Sequence, residues 1–188
     1  MATNPSRRLT ADDVLQIPVP EELSGFELVH GRPVPVTPAS QPHGRIAARV
    51  AYRLMDYVER EGIGGEVYVD ALFALGLPRD PERARAPDVS FLRAENLPPT
   101  DDWNRVFRGV PDLAVEVDIT TARKPGGRQR IADYVEAGVP LVWIIEPDRR
   151  TATVYRADGT SRLVHAHEEL DGEGVLPGFR LPLDKLFR

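Results

Sequence analysis

The chain has 188 residues, 41% of them hydrophobic and 28% charged, enough for one domain with a real core and too few for two comfortable ones. A net charge of −5 and the absence of cysteine exclude a uniformly basic nucleic-acid coat, a disulfide framework, a thiolate metal site and a cysteine nucleophile. No apolar run could span a bilayer and the basic start of the chain has no hydrophobic stretch behind it, so a cytoplasmic protein with no membrane partner is expected.

Thr10 followed by Ala-Asp-Asp reads as a helix N-cap with an acidic first turn, predicting a short helix to about Gln16, ended by Pro18 and Pro20. Phe26 to Val29 and Arg32 to Val36 read as strands joined by a tight turn at His30-Gly31, the second at a sheet edge because of Pro33 and Pro35. From His43 to about Arg60, Ile46, Val50, Leu54 and Val58 recur every four residues, one stripe of an amphipathic helix stopped by Gly62, Gly64 and Gly65. Strands are expected at Glu66 to Asp70, Leu72 to Leu77 and Asp88 to Leu92, then a polar connection with a short helix near Asp102 to Val106. Leu113 to Ile119 is the strongest strand, nearly continuous in apolar residues and so central. A basic, glycine-containing segment, Arg123 to Arg128, leads into a helix ending at Gly138. Leu141 to Ile145 and Thr153 to Tyr155 form a hairpin-like pair, and Leu181 to Phe187 docks on the domain. The expected fold class is α/β (α+β), a mixed β-sheet flanked by helices in a single domain.

Glu116 is the informative oddity, a carboxylate inside Leu113-Ala-Val-Glu-Val117 where burial without a partner is costly. Strand alternation puts Asp112, Ala114, Glu116 and Asp118 on one face, whose carboxylates repel unless a cation neutralises them. A hard divalent ion such as Mg2+ needs one or two carboxylates plus waters. The alternative is an edge strand with a solvated acidic face; the wholly apolar opposite face and the nearby Arg123, Lys124, Arg128 and Arg130 favour a site. Alone, Pro87-Asp88 is turn chemistry and Glu27 on its short strand could face water. His43, opening the long helix, is more often a surface or capping residue than a base or ligand. His165 and His167 are a weak metal pair. Only Lys124 and Lys185 among the 24 basic residues are lysine, so arginine is the default cation. No Gly-x-Ser-x-Gly elbow and no phosphate-cradling Gly-x-x-x-x-Gly-Lys-Ser/Thr loop is present.

In order, Phe26-Glu-Leu-Val-His-Gly31, Pro42-His43-Gly-Arg-Ile46, Ala86-Pro-Asp88-Val, Pro111-Asp-Leu-Ala-Val-Glu-Val117, Tyr134-Val-Glu-Ala-Gly-Val-Pro140, Trp143-Ile-Ile-Glu-Pro147 and Leu176-Pro-Gly-Phe179 span nearly the whole chain. Together they resemble the Uma-two family of putative endonucleases, within the PD-(D/E)XK (restriction-endonuclease-like) superfamily. That resemblance implies a restriction-endonuclease-like core in which Asp88 and Glu116 hold Mg2+ (or Mn2+), with the Val117 carbonyl completing the shell and Glu27 a further acidic position. DNA is the implied substrate, bound through Arg123, Arg128 and His43. Two departures stand out: Arg130 occupies the position of the usual lysine, leaving Lys124 as a substitute from the loop, and Ile119-Thr120 replaces a common Ser-Pro. Arginine holds phosphate but does not act as a base. The leading expectation is therefore a metal-dependent DNA endonuclease. The rivals are a catalytically degenerate nuclease-fold module that binds nucleic acid or protein, and a hydrolase of small phosphate esters. A homodimer follows from superfamily habit alone.

Overall fold

Thr10 caps the first helix, α1 (Ala11–Val14), through a reciprocal box in which its hydroxyl accepts from the Asp13 N–H and the Asp13 carboxylate accepts from the Thr10 N–H. The computed structural model describes residues 8–99, 104–117 and 127–188. Strands β1 (Gly25–Val29) and β2 (Arg32–Val36) pair antiparallel across His30-Gly31, both at positive φ (52° and 71°), as a two-residue hairpin turn requires. The proline-bearing β2 is an edge strand. Helix α2 (Gln41–Glu61) has Pro42 in its first turn, where a missing N–H removes no helical bond, and it ends at Gly62 in the left-handed conformation.

After α2 come β3 (Glu66–Val69), β4 (Phe73–Ala74), β5 (Ala84–Arg85), β6 (Val89–Leu92), β7 (Phe107–Arg108) and β8 (Leu113–Val117). Helix α3 (Gly127–Glu136) precedes β9 (Leu141–Glu146), β10 (Thr151–Arg156), β11 (Ser161–His165), β12 (Glu169–Asp171) and β13 (Arg180–Pro182), and a 3-10 turn, Leu183–Leu186, follows. One sheet has the order β2-β1-β5-β4-β7 and a second β11-β10-β9-β8-β6-β3. The second is mixed: β8 pairs parallel with β9 and antiparallel with β6. The α+β class with mixed sheets is thus as expected, and β8 is central.

Both faces of β8 are covered. Val115 and Val117 pack with Trp143, with Val50 and Leu54 of α2, and with Leu176, Phe179 and Leu183 of the tail. Ala114 packs on the other side with Val142, Ile144, Phe73 and Tyr134 of α3. Burial on two faces explains the unbroken apolar runs of β8 and β9.

Several expectations need correction. Only Phe73–Ala74 of the segment 72–77 is a strand, and the two-residue β5 and β7 were too short to show a period. Residues 104–106 are not helical, and the rest of the helix expected near Asp102 lies outside the described residues. β11 and β12, in the polar region before the tail, were also missed. Among the described residues no helix is long and apolar enough to cross a membrane.

Candidate active site

The site forms where β3, β6 and β8 end side by side. The register pairs Val69 with Val89 and Val89 with Val115. Continued by one residue, it sets Asp70 opposite Asp88 and Asp88 opposite Glu116, a row of three carboxyl residues on three adjacent strands. Directly opposed residues share a face, about 5 Å apart at Cβ.

Asp88 is held from two sides. Its Oδ2 accepts the Val117 N–H at 2.6 Å and lies 3.0 Å from Nε2 of His43. His43 therefore points inward from the first turn of α2, contrary to the capping role its sequence position favoured. The hydrogen bond to Asp88 raises the imidazole pKa above its usual 6.5 against the opposing pull of burial. Its Nδ1 is buried and has no hydrogen-bond partner among the described residues. Val117 was expected to contribute its carbonyl; what it visibly contributes is the N–H that orients Asp88.

Glu116 accepts the Tyr134 hydroxyl at 2.6 Å and the Arg130 guanidinium at 3.2 Å on Oε1. Burial, with Asp88 adding repulsion, nevertheless raises its pKa to about 8, outweighing the attraction of Arg130. Asp70 is raised too, by burial first and Asp88 second. The carboxylate row is short of positive charge.

Glu27 does not face water: it is 1% exposed. It stands opposite Arg85 in the register of β1 with β5. Its Oε2 accepts Arg85 Nη1 at 2.7 Å and Arg130 Nη2 at 3.1 Å, and its Oε1 accepts the Ala86 N–H at 3.1 Å. Behind it, Asp133 takes Arg85 Nε at 2.8 Å and Arg83 Nη1 at 2.7 Å, and Arg83 reaches Asp80 at 2.7 Å. Alternating charges thus tie α3 to the first sheet and fix Arg130 between Glu27 and Glu116. With both oxygens occupied, Glu27 acts as a clamp on Arg130.

The three-carboxylate face read from β8 is not one site. Asp112 lies at the far end of the strand, accepting the Asn96 amide and the Arg93 N–H, and Asp118 is outside the described residues. Arg123 and Lys124 are outside them as well. Arg128 is exposed in the first turn of α3. His165 and His167 stack on each other, centroids 6.0 Å apart, away from the carboxylate row. The structure brings together Asp88, Glu116, His43, Glu27 and Arg130. Asp70, Arg85, Asp133 and the role of Tyr134 were missed. Alternation along β3 could have placed Asp70 on a face with Tyr68, but nothing in the sequence revealed its partner strand.

Among the described residues no group of three His, Asp or Glu side chains is arranged to hold a metal ion. Asp88 and Glu116 are a pair of hard oxygen donors on neighbouring strands, one under-compensated in charge. That fits a Mg2+-like ion, which takes one or two carboxylates and keeps several waters, and does not fit a site built on several histidines.

A crystal structure described as a putative nuclease belonging to DUF820 from Anabaena variabilis ATCC 29413 has the same fold, with a TM-score of 0.74, 18% identity, and coverage of 95% of this chain and 97% of that one. The profile of the Uma2 family, described as "Putative restriction endonuclease", matches residues 11–184. The chain belongs to that family. No curated protein matches it.

Proposed function

We propose that the chain is a divalent-metal-dependent endonuclease that hydrolyses phosphodiester bonds of DNA. The observation that carries this reading is Asp88 opposite Glu116 on adjacent strands, with Glu116 still at a raised pKa of about 8 beside its own arginine. Asp88 and Glu116 would hold Mg2+ or Mn2+, beside the Val117 carbonyl. Such an ion, when bound, lowers the pKa of a water nucleophile and offsets charge on the phosphate oxygens. His43 and the Val117 N–H orient Asp88; the Tyr134 hydroxyl orients Glu116. Arg130, held by Glu27, supplies a fixed cation that suits a phosphate oxygen in the position where the family carries lysine. It stays charged, so it takes no proton from water. Arg128, and Arg123 and Lys124 on the adjoining segment, are candidates for further phosphate contacts. Nothing in the described fold supports the expected homodimer.

One observation favours the second reading, a degenerate nuclease-fold module: Arg130 is already ion-paired with both Glu27 and Glu116. Incubation with plasmid and single-stranded DNA separates the two. The first expects nicking with Mg2+ or Mn2+ that stops on chelation and in Asp88→Asn and Glu116→Gln. Cutting at the same rate in chelator contradicts the metal-dependent mechanism. Salt-sensitive binding with no product under any metal favours the module.

A further inference from the structure

The outer face of α2 carries chemistry that the carboxylate site does not use. Arg45, Arg49 and Arg53 recur every four residues, about 6 Å apart along the axis, while Ile46, Val50 and Leu54 fill the inner face. Between this line and the C-terminal 3-10 turn lies a shallow pocket of about 250 Å³, lined by Arg49, Tyr52, Arg53, Leu181, Lys185 and Leu186. Three of those six are cations and none is acidic. The nearby carboxylates are already engaged, Asp56 with Arg60 and Asp184 with Arg188.

The wall of the pocket is built rather than incidental. Arg49 Nη1 donates to the Leu186 carbonyl at 2.9 Å and to the Arg188 carbonyl, pinning the end of the tail to the helix. Tyr52 is 58% exposed, and the Arg53 guanidinium sits 5.8 Å from its ring centroid. A large exposed aromatic beside cations that, among the described residues, pair with no carboxylate side chain is the combination that holds nucleic-acid strands, with phosphates on the cations and an unstacked base on the ring.

We infer that this pocket binds the backbone of single-stranded nucleic acid, with one base resting on Tyr52. The identity of the ligand rests on the nuclease reading above. From His43, in the first turn of the same helix, to Arg53 is a rise of about 15 Å, a distance that a few nucleotides of an extended single strand span. The pocket would thus take a flanking part of the strand whose scissile phosphate lies at Asp88 and Glu116, and it explains how a chain of net charge −5 gains a local electrostatic hold.

Fluorescence anisotropy of a labelled single-stranded oligonucleotide, in chelator so that nothing is cut, tests this. The variants are Arg53→Gln/Lys185→Gln, Tyr52→Ala and Glu116→Gln, each checked by thermal melting. The double variant should bind about tenfold more weakly or worse, with a salt slope shallower by about 1.4, the value for two lost phosphate contacts on a single strand. Tyr52→Ala should lose about tenfold with little change in slope. Glu116→Gln should lose cleavage in metal while still binding the oligonucleotide in chelator, which tests the catalytic reading separately. Unchanged affinity and slope in the double variant overturn the inference, as does a wild type that binds no oligonucleotide. Phosphatidylserine vesicles, bound more tightly than DNA and released by the same double variant, would overturn it in favour of a membrane surface.

Discussion

Glu116 and His43 make the metal-free protein's stability depend on pH in one direction. Ionised Glu116 is penalised by burial in the folded chain and not in the unfolded one. The penalty is absent below the usual carboxylate pKa of 4.5, grows as pH rises, and is complete above about 8. His43, raised above 6.5, contributes stability that is present below 6.5 and lost as pH passes its folded value. Melting temperature without added metal should therefore fall from pH 5 to pH 8, in steps of pH followed by circular dichroism. Glu116→Gln should flatten that fall, and a curve as steep as wild type in the variant would show that burial of Glu116 is not its cause. For the proposed catalysis, Asp88→Asn and Glu116→Gln should each lower cleavage by at least about a hundredfold, since each would remove a proposed ligand of the divalent ion.

The elements around the site are locked together by buried charge. Arg85 and Asp133 meet at 2.6 Å with both side chains almost wholly buried, and Asp133 also holds Arg83. Removing one member leaves an uncompensated charge inside, so Arg85→Met should cost about 3–5 kcal/mol in denaturant unfolding. It should also lower cleavage, because Glu27 loses the partner that positions it against Arg130. A midpoint within error of wild type would mean that the network adds nothing to stability. On the opposite face of the sheet, Trp143 is fully buried and stacked 6.0 Å from Phe179, and Trp143→Ala should cost about 3–5 kcal/mol. The long elements were legible because their periods were long: α2 from four residues spaced by four, β8 and β9 from apolar runs buried on both faces. β5 carries Arg85 in two residues, which no period can announce, and the Arg85–Asp133 contact joins positions 48 apart in the chain.

Across the whole molecule, Glu116 was legible because a carboxylate interrupted an apolar strand, and Asp88 because an ordered set of motifs singled it out from turn chemistry. His43, whose helix position alone suggests a surface or capping residue, meets Asp88 because α2 begins beside the start of β6, a tertiary fact. Asp70 lies at a strand end with φ of 52°, and its place in the carboxylate row follows only from strand register. Glu27 was found as an acidic position, and its burial between Arg85 and Arg130 makes it a clamp on the latter. The proposed function rests on Asp88 and Glu116 together holding one divalent ion. Calorimetric titration of Mn2+ at a pH above about 8, where Glu116 gives up its proton, compares wild type with Glu116→Gln most directly. One binding event in the wild type that disappears in the variant is the expected result; an equal heat of binding in both would contradict the site.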